Sequence, residues 1–102
     1  MEKLVRDGIP EIIERETNNV AHFRLVAGDE YKKFLIRKLD EEVEEYRESE
    51  KAEELADILE VVHALAETEG IGFSELDELR KEKAARRGGF GGGKVMDFTG
   101  HG

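Results

Sequence analysis

The sequence predicts an all-α fold organised around an antiparallel helical hairpin. Apolar residues recur at helical spacing through two long segments, the first opening at Gly28 and the second running from about Ala52 to Thr68. At about 100° per residue, a single continuous helix would shift its apolar stripe by about half a turn near Ser49. A chain reversal at the Ser49–Glu50 bond removes this conflict, so we expect the two helices to lie side by side.

The length, charge and lack of cysteine in the chain limit the kinds of protein that it can be. The chain has 102 residues, with 25 acidic and 16 basic side chains and a formal net charge of -9. This length predicts one domain with a modest core, and the charge argues against binding to nucleic acid polymers or anionic membranes. Cysteine is absent, which excludes disulfides and thiolate metal sites. With no apolar signal region and no bilayer-length segment, we expect a cytoplasmic protein.

Two short elements are predicted before the hairpin. Pro10 suits the first turn of a helix, where its missing N–H costs nothing, and Asp7 is a candidate cap. Thr17–Asn19 should end that helix. Residues Val20–Ala27 are apolar and β-branched with polar residues such as His22 interleaved, which predicts a short strand or extended crossing segment.

Both hairpin helices carry acidic residues within their apolar faces. Asp29 is the predicted N-cap of the first helix. On a helical wheel of the first helix, Glu42 projects inside the apolar arc and Glu45 lies at its edge. In the second helix, Glu54 falls inside the arc and Asp57 at its border. The neighbouring acids of the first block point toward water: Glu41 and Glu44.

A last helix and a tail follow the hairpin. Ser74–Asp77 resembles a capping box for a helix from about Glu75 to Arg87, and Gly88–Gly89 should stop it. We expect residues 1–90 to form the domain and residues 91–102, which include His101, to form a flexible glycine-rich tail.

The spacing of the acidic residues predicts a metal site. Glu42 and Asp57 are equidistant from the Ser49–Glu50 bond, and so are Glu45 and Glu54, so the hairpin places each pair level. Four carboxylates at close range repel one another unless cations or protons neutralise them, and a hard divalent cation with oxygen ligands is the natural partner. Ion pairing with Arg37 or Lys38 is the structural alternative.

Five segments occur in an order that matches a known family: Lys3–Asp7, Ile9–Ile13, Lys38–Glu45, Glu54–Asp57 and Arg87–Phe90. Together they resemble the MazG-like all-α nucleoside triphosphate pyrophosphohydrolases, in particular the small phosphoribosyl-ATP pyrophosphohydrolase-like branch. Two departures are the gap of only eight residues between the acidic blocks and Gly8, which stands where a lysine is expected. The family assembles as dimers or tetramers, so the resemblance implies that a homodimer or homotetramer completes a four-helix bundle.

The resemblance also implies a reaction and the residues for it. Glu42, Glu45, Glu54 and Asp57 match the magnesium ligands of the family, with Mn²⁺ as a substitute, and Glu41 and Glu42 are the catalytic candidates. The reaction is cleavage of a triphosphate between its α and β phosphates, on phosphoribosyl-ATP or, in a house-cleaning role, on non-standard nucleotides. Candidates for contacting the phosphates, with ordinary surface charge as the equal alternative, are Lys38, Arg86, Arg87, Lys3 and Arg6.

Three other interpretations compete with this one. A non-catalytic helical interaction module could carry the same acidic hairpin, solvated or holding a structural cation. The Glu60–x–x–His63 pair could contribute to a di-iron site in a dimer, but Glu60 projects off the apolar arc. Residues Gly88–Lys94 nearly match a Walker A loop, but Val95 takes the Ser/Thr position and no strand–loop–helix context surrounds it, so we reject this reading.

Overall fold

The computed structural model describes residues 1–98, and within that range it contains four α-helices and no strand. The helices are α1 (Ile9–Thr17), α2 (Gly28–Ser49), α3 (Ala52–Thr68) and α4 (Phe73–Arg87). The predicted all-α class is therefore confirmed. His101 and the end of the predicted tail lie outside the described residues.

The chain divides into two compact units, Met1–Gly70 and Ile71–Gly102. The first unit contains α1, the crossing segment and the whole hairpin. Residues 20–27 form no strand and connect α1 to α2 without regular structure. No helix within residues 1–98 combines the length and the hydropathy needed to cross a membrane.

The helix starts differ from the predicted caps. Gly8, Ala27 and Gly72 occupy the N-cap positions of α1, α2 and α4, and none of these helix starts has a side-chain capping hydrogen bond. The caps predicted at Asp7, at Asp29 and in the Ser74–Asp77 box are therefore wrong. Both α2 and α4 begin before the predicted cap, which moves the acidic side chains into the first turn, where they still favour the helix dipole.

The predicted reversal of the chain is confirmed. Helix α2 ends at Ser49 and α3 begins at Ala52, so only two residues connect them. Glu50 adopts the left-handed conformation, with φ 54° and ψ 27°, and its N–H donates to the carbonyl oxygen of Tyr46 at 2.8 Å. This left-handed residue closes α2 and turns the chain back, which is how an eight-residue gap between the acidic blocks still permits a hairpin.

Replacing Glu50 with glycine tests this turn. A left-handed conformation costs a residue with a Cβ roughly 1–2 kcal/mol, whereas glycine adopts it freely but loses more entropy on folding. We expect Glu50→Gly to raise the free energy of unfolding by about 0.5 kcal/mol in urea denaturation. The control Glu48→Gly, inside α2, should lower it by about 1 kcal/mol. Equal destabilisation by both variants would indicate an unbroken helix at position 50.

The hairpin covers only part of its own apolar surface. Its buried apolar residues are few: Leu35, Val61 and Ala66. Three large apolar residues on the same two helices stay about half exposed: Ile36, Leu55 and Leu59. The chain by itself therefore leaves an apolar face on α2 and α3 that another helical surface could cover.

Candidate metal centre

The hairpin brings three of the four predicted ligands together. Carboxylate oxygens of Glu42 on α2 and of Glu54 and Asp57 on α3 all lie within 4.8 Å of one another. Residues three apart lie on one face of a helix, so Glu54 and Asp57 act as a pair opposite Glu42. Glu42 is buried, with 7% of its surface exposed, and the other two are half-buried.

Glu45 does not join this group. Its side chain is exposed, so a residue predicted at the edge of the apolar arc lies on the solvent side of that edge. It lies three residues after Glu42, about 60° away around the helix, which carries it from the buried face to the rim. It remains close enough for its negative charge to act on Glu42.

Glu42 is held in an unfavourable environment for a carboxylate. Burial raises the pKa of Glu42, and the charges of Glu45 and Asp57 raise it further, whereas Lys38 acts in the opposite direction. The Lys38 ammonium lies 3.4 Å from one oxygen of Glu42. The other oxygen, Oε2, is buried without a hydrogen-bond partner. An unsatisfied buried acceptor is costly, so this oxygen favours a further positive ligand.

The donor set fits a hard divalent cation. All three groups offer carboxylate oxygens, the ligands that Mg²⁺ and Mn²⁺ prefer over nitrogen or sulfur. Mg²⁺ usually takes a few carboxylates and completes its shell with water and substrate phosphates. The orphaned Oε2 atom of Glu42 and the two partly open carboxylates of α3 match that requirement.

Three of the five predicted phosphate-contacting cations lie at this centre. The Arg6 guanidinium donates to Oδ1 of Asp57 at 2.7 Å, and the Lys3 ammonium lies 3.3 Å from Glu41. Lys38 lies between Glu41 and Glu42. The side chains of Lys3 and Arg6 are each 56% exposed, so these pairs are weak and can rearrange toward an incoming anion.

Glu41 lies next to the three-carboxylate group without belonging to it. Its side chain is half-buried and pairs with Lys3 and Lys38, so the expectation that it points into water is only partly right. Glu44 matches the expectation, because it is exposed and pairs with Arg47 on the same helix. Glu41 therefore lies beside the three carboxylates, and Glu44 does not.

Four candidates remain, two arginines of α4 and the Glu60–His63 pair of α3. Arg86 and Arg87 are exposed in the last turn of α4, in the second compact unit, where their charges complement the helix dipole. Glu60 is exposed and His63 half-buried on α3, and neither belongs to the group of three carboxylates.

Nothing in the sequence predicts the ion pair between Arg6 and Asp57. Fifty-one positions separate the two residues, and the N-terminal segment has no helical period that would indicate which face it contacts. Arg6 is a sequence candidate only for contacting the phosphates, not for pairing with Asp57. The structure adds that the N-terminal segment reaches both hairpin helices.

Neither a family model, nor a curated protein, nor a solved structure matches this chain. Function must therefore be inferred from the chemistry of the centre itself. Carboxylates that can hold a cation, bordered by ammonium and guanidinium groups, suit a ligand that combines a metal ion with an anion. Polyphosphates carried by Mg²⁺ have that composition.

Proposed function

We propose that the chain is a metal-dependent nucleotide pyrophosphohydrolase of the MazG-like type, acting in the cytoplasm. It would cleave a nucleoside triphosphate to the monophosphate and pyrophosphate. The observation that carries the proposal is the buried Glu42 with its orphaned oxygen, facing Glu54 and Asp57 across the hairpin. These are three of the positions at which the sequence resembles the magnesium-binding motifs of that family.

The residues of the centre divide into two roles. Glu42, Glu54 and Asp57 would hold the ion, and Glu45 would add negative charge at the rim. When bound, Mg²⁺, or Mn²⁺ in its place, supplies an activated water and neutralises charge on the phosphates. Glu41 orients the water from its half-buried position beside the ligands.

The cations around the centre bind the phosphates. Lys38 is half-buried between Glu41 and Glu42, so it is held near the reacting group. Arg6 and Lys3 are more exposed and can transfer from their carboxylate partners to phosphate oxygens when substrate arrives. Phosphate contacts from Arg86 and Arg87 stay a prediction of the sequence.

Self-association is the second part of the proposal. A homodimer or homotetramer would cover Ile36, Leu55 and Leu59 by packing hairpin against hairpin as a four-helix bundle. Light scattering at micromolar concentration should give two or four times the chain mass of 11.6 kDa. Leu59→Lys should shift the mass toward the monomer, whereas Val95→Lys, at an exposed position of the second unit, should not. A monomeric wild-type chain would contradict self-association.

A substrate panel tests the activity. Standard and modified nucleoside triphosphates and phosphoribosyl-ATP are incubated with the protein and Mg²⁺, and pyrophosphate and monophosphate are measured. We expect release from at least one substrate and its loss when EDTA removes the metal. Absence of release from every nucleotide would favour the non-catalytic helical interaction module.

A further inference from the structure

We propose that a cleft in the first unit binds the nucleoside part of the substrate, an inference that rests on the proposed function. The cleft has a volume of about 670 Å³ and lies between the N-terminal segment, α1, residues 21–26 and the first turns of α2. Three aromatic side chains line it: Phe23, Tyr31 and Phe34. Aromatic rings are the surfaces on which proteins stack unpaired bases.

Along α2, an aromatic residue, a lysine and a metal-binding candidate follow one another, as do the base, the phosphates and the bound metal ion in a nucleotide. Phe34, Lys38 and Glu42 are spaced by four residues, so they form one ridge on the helix surface. Phe34 precedes Glu42 by about 12 Å along the helix axis. This length is comparable to the reach from a base to its phosphates in an extended nucleotide. Lys38 lies midway along this ridge and places its cation 3.4 Å from Glu42, where the polyphosphate would reach the carboxylates.

The N-terminal segment connects the cleft to the metal centre. Lys3 and Arg6 line the cleft, and the same two side chains pair with Glu41 and Asp57 at the centre. A ligand that extends from the cleft to the carboxylates must therefore pass both cations. A nucleoside triphosphate has the matching sequence of groups, with an aromatic end, a sugar and an anionic chain that carries the metal.

The wall around Phe34 is also suited to a flat ring. The guanidinium carbon of Arg24, which also lines the cleft, lies 5.8 Å from the centre of the Phe34 ring. Arg24 also donates hydrogen bonds to Glu2 and Glu30 at 2.7 and 3.0 Å. Bases stack on guanidinium planes as well as on aromatic rings, so this wall offers both kinds of surface.

Binding of a triphosphate chain with and without a nucleoside tests the proposal. Calorimetry in Mg²⁺ measures the affinity of the wild-type chain for inorganic tripolyphosphate and for a triphosphate with a non-hydrolysable α,β-methylene bridge. Phe34→Leu tests the ridge, and Phe23→Ala, at a position 65% exposed, tests the cleft with little risk to folding. The matched control is Phe98→Ala, an exposed phenylalanine of the second unit.

We expect both cleft variants to weaken nucleotide binding by about tenfold and to leave tripolyphosphate binding unchanged. Unchanged nucleotide binding, or equal weakening for both ligands, would overturn the nucleoside site. Loss of self-association in Phe23→Ala with normal nucleotide binding would assign the cleft to a second copy of the chain instead. A wild-type chain that binds both ligands equally would refute the nucleoside site alone, whereas one that binds neither would refute the proposed function as well.

Discussion

Replacing Asp57 with asparagine is expected to lower magnesium-dependent pyrophosphate release by more than about 100-fold. The substitution keeps the size of the side chain but removes the negative charge that would hold the ion opposite Glu42. Glu42→Gln and Glu54→Gln should have effects of the same order, because the three carboxylates contribute to one centre. Their combined loss should be far from additive, since the first substitution already empties the site.

Two controls separate this effect from general damage to the protein. Glu44→Gln changes an exposed glutamate of the same helix that pairs with Arg47, and its activity should stay within about twofold of the wild type. Arg6→Gln breaks the ion pair to Asp57 and leaves the carboxylate in place, so it should retain metal binding. Activity in Asp57→Asn equal to that of Glu44→Gln would remove the centre from the mechanism.

Glu42→Gln is expected to stabilise the metal-free protein and to abolish its stabilisation by Mg²⁺. Folding raises the pKa of Glu42, chiefly through burial, so the ionised side chain opposes folding. Its favourable contribution is complete below the unfolded pKa and is lost as the pH rises through the raised folded pKa. At neutral pH in EDTA, the variant should therefore gain about 1 kcal/mol of unfolding free energy.

Saturating Mg²⁺ should make the wild type more stable than Glu42→Gln, the reverse of the order expected in EDTA. At a concentration of 100 times Kd, an ion that binds only the folded wild type adds about 2.7 kcal/mol, which the variant cannot gain. Thermal denaturation followed by circular dichroism at pH 5 and pH 8, with Mg²⁺ and with EDTA, measures both effects. Glu48→Gln is the matched control at an exposed position of α2. A wild-type midpoint that does not respond to Mg²⁺, or a variant less stable in EDTA, would contradict the assignment.

The hairpin could be predicted because long helices carry many copies of the same signal. The apolar stripe repeats several times along each helix, so its displacement near Ser49 predicted the reversal to within a residue of the Glu50–Lys51 connection. The helix starts could not be predicted in the same way. An acid such as Asp29 is favourable both as a cap and in the first turn, so composition does not separate the two positions.

The carboxylate site could be predicted as far as the turn fixes which residues of α2 lie level with which residues of α3. A two-residue connection leaves little freedom, so Glu42 of α2 and Asp57 of α3 meet across the hairpin. Glu45 lay at the edge of the apolar arc, where a small rotation decides between burial and exposure. The contacts of Lys3 and Arg6 depend on the path of a segment without regular structure, which no periodicity in the sequence describes.

Direct metal binding tests the central claim most simply. Electron paramagnetic resonance measures the free Mn²⁺ that remains when the ion is titrated into wild-type, Asp57→Asn and Glu44→Gln protein. We predict saturable binding by the wild type and by Glu44→Gln, competition by Mg²⁺, and loss of that binding in Asp57→Asn. Binding that is equal in all three proteins, or absent from the wild type, would contradict a cation site within the hairpin.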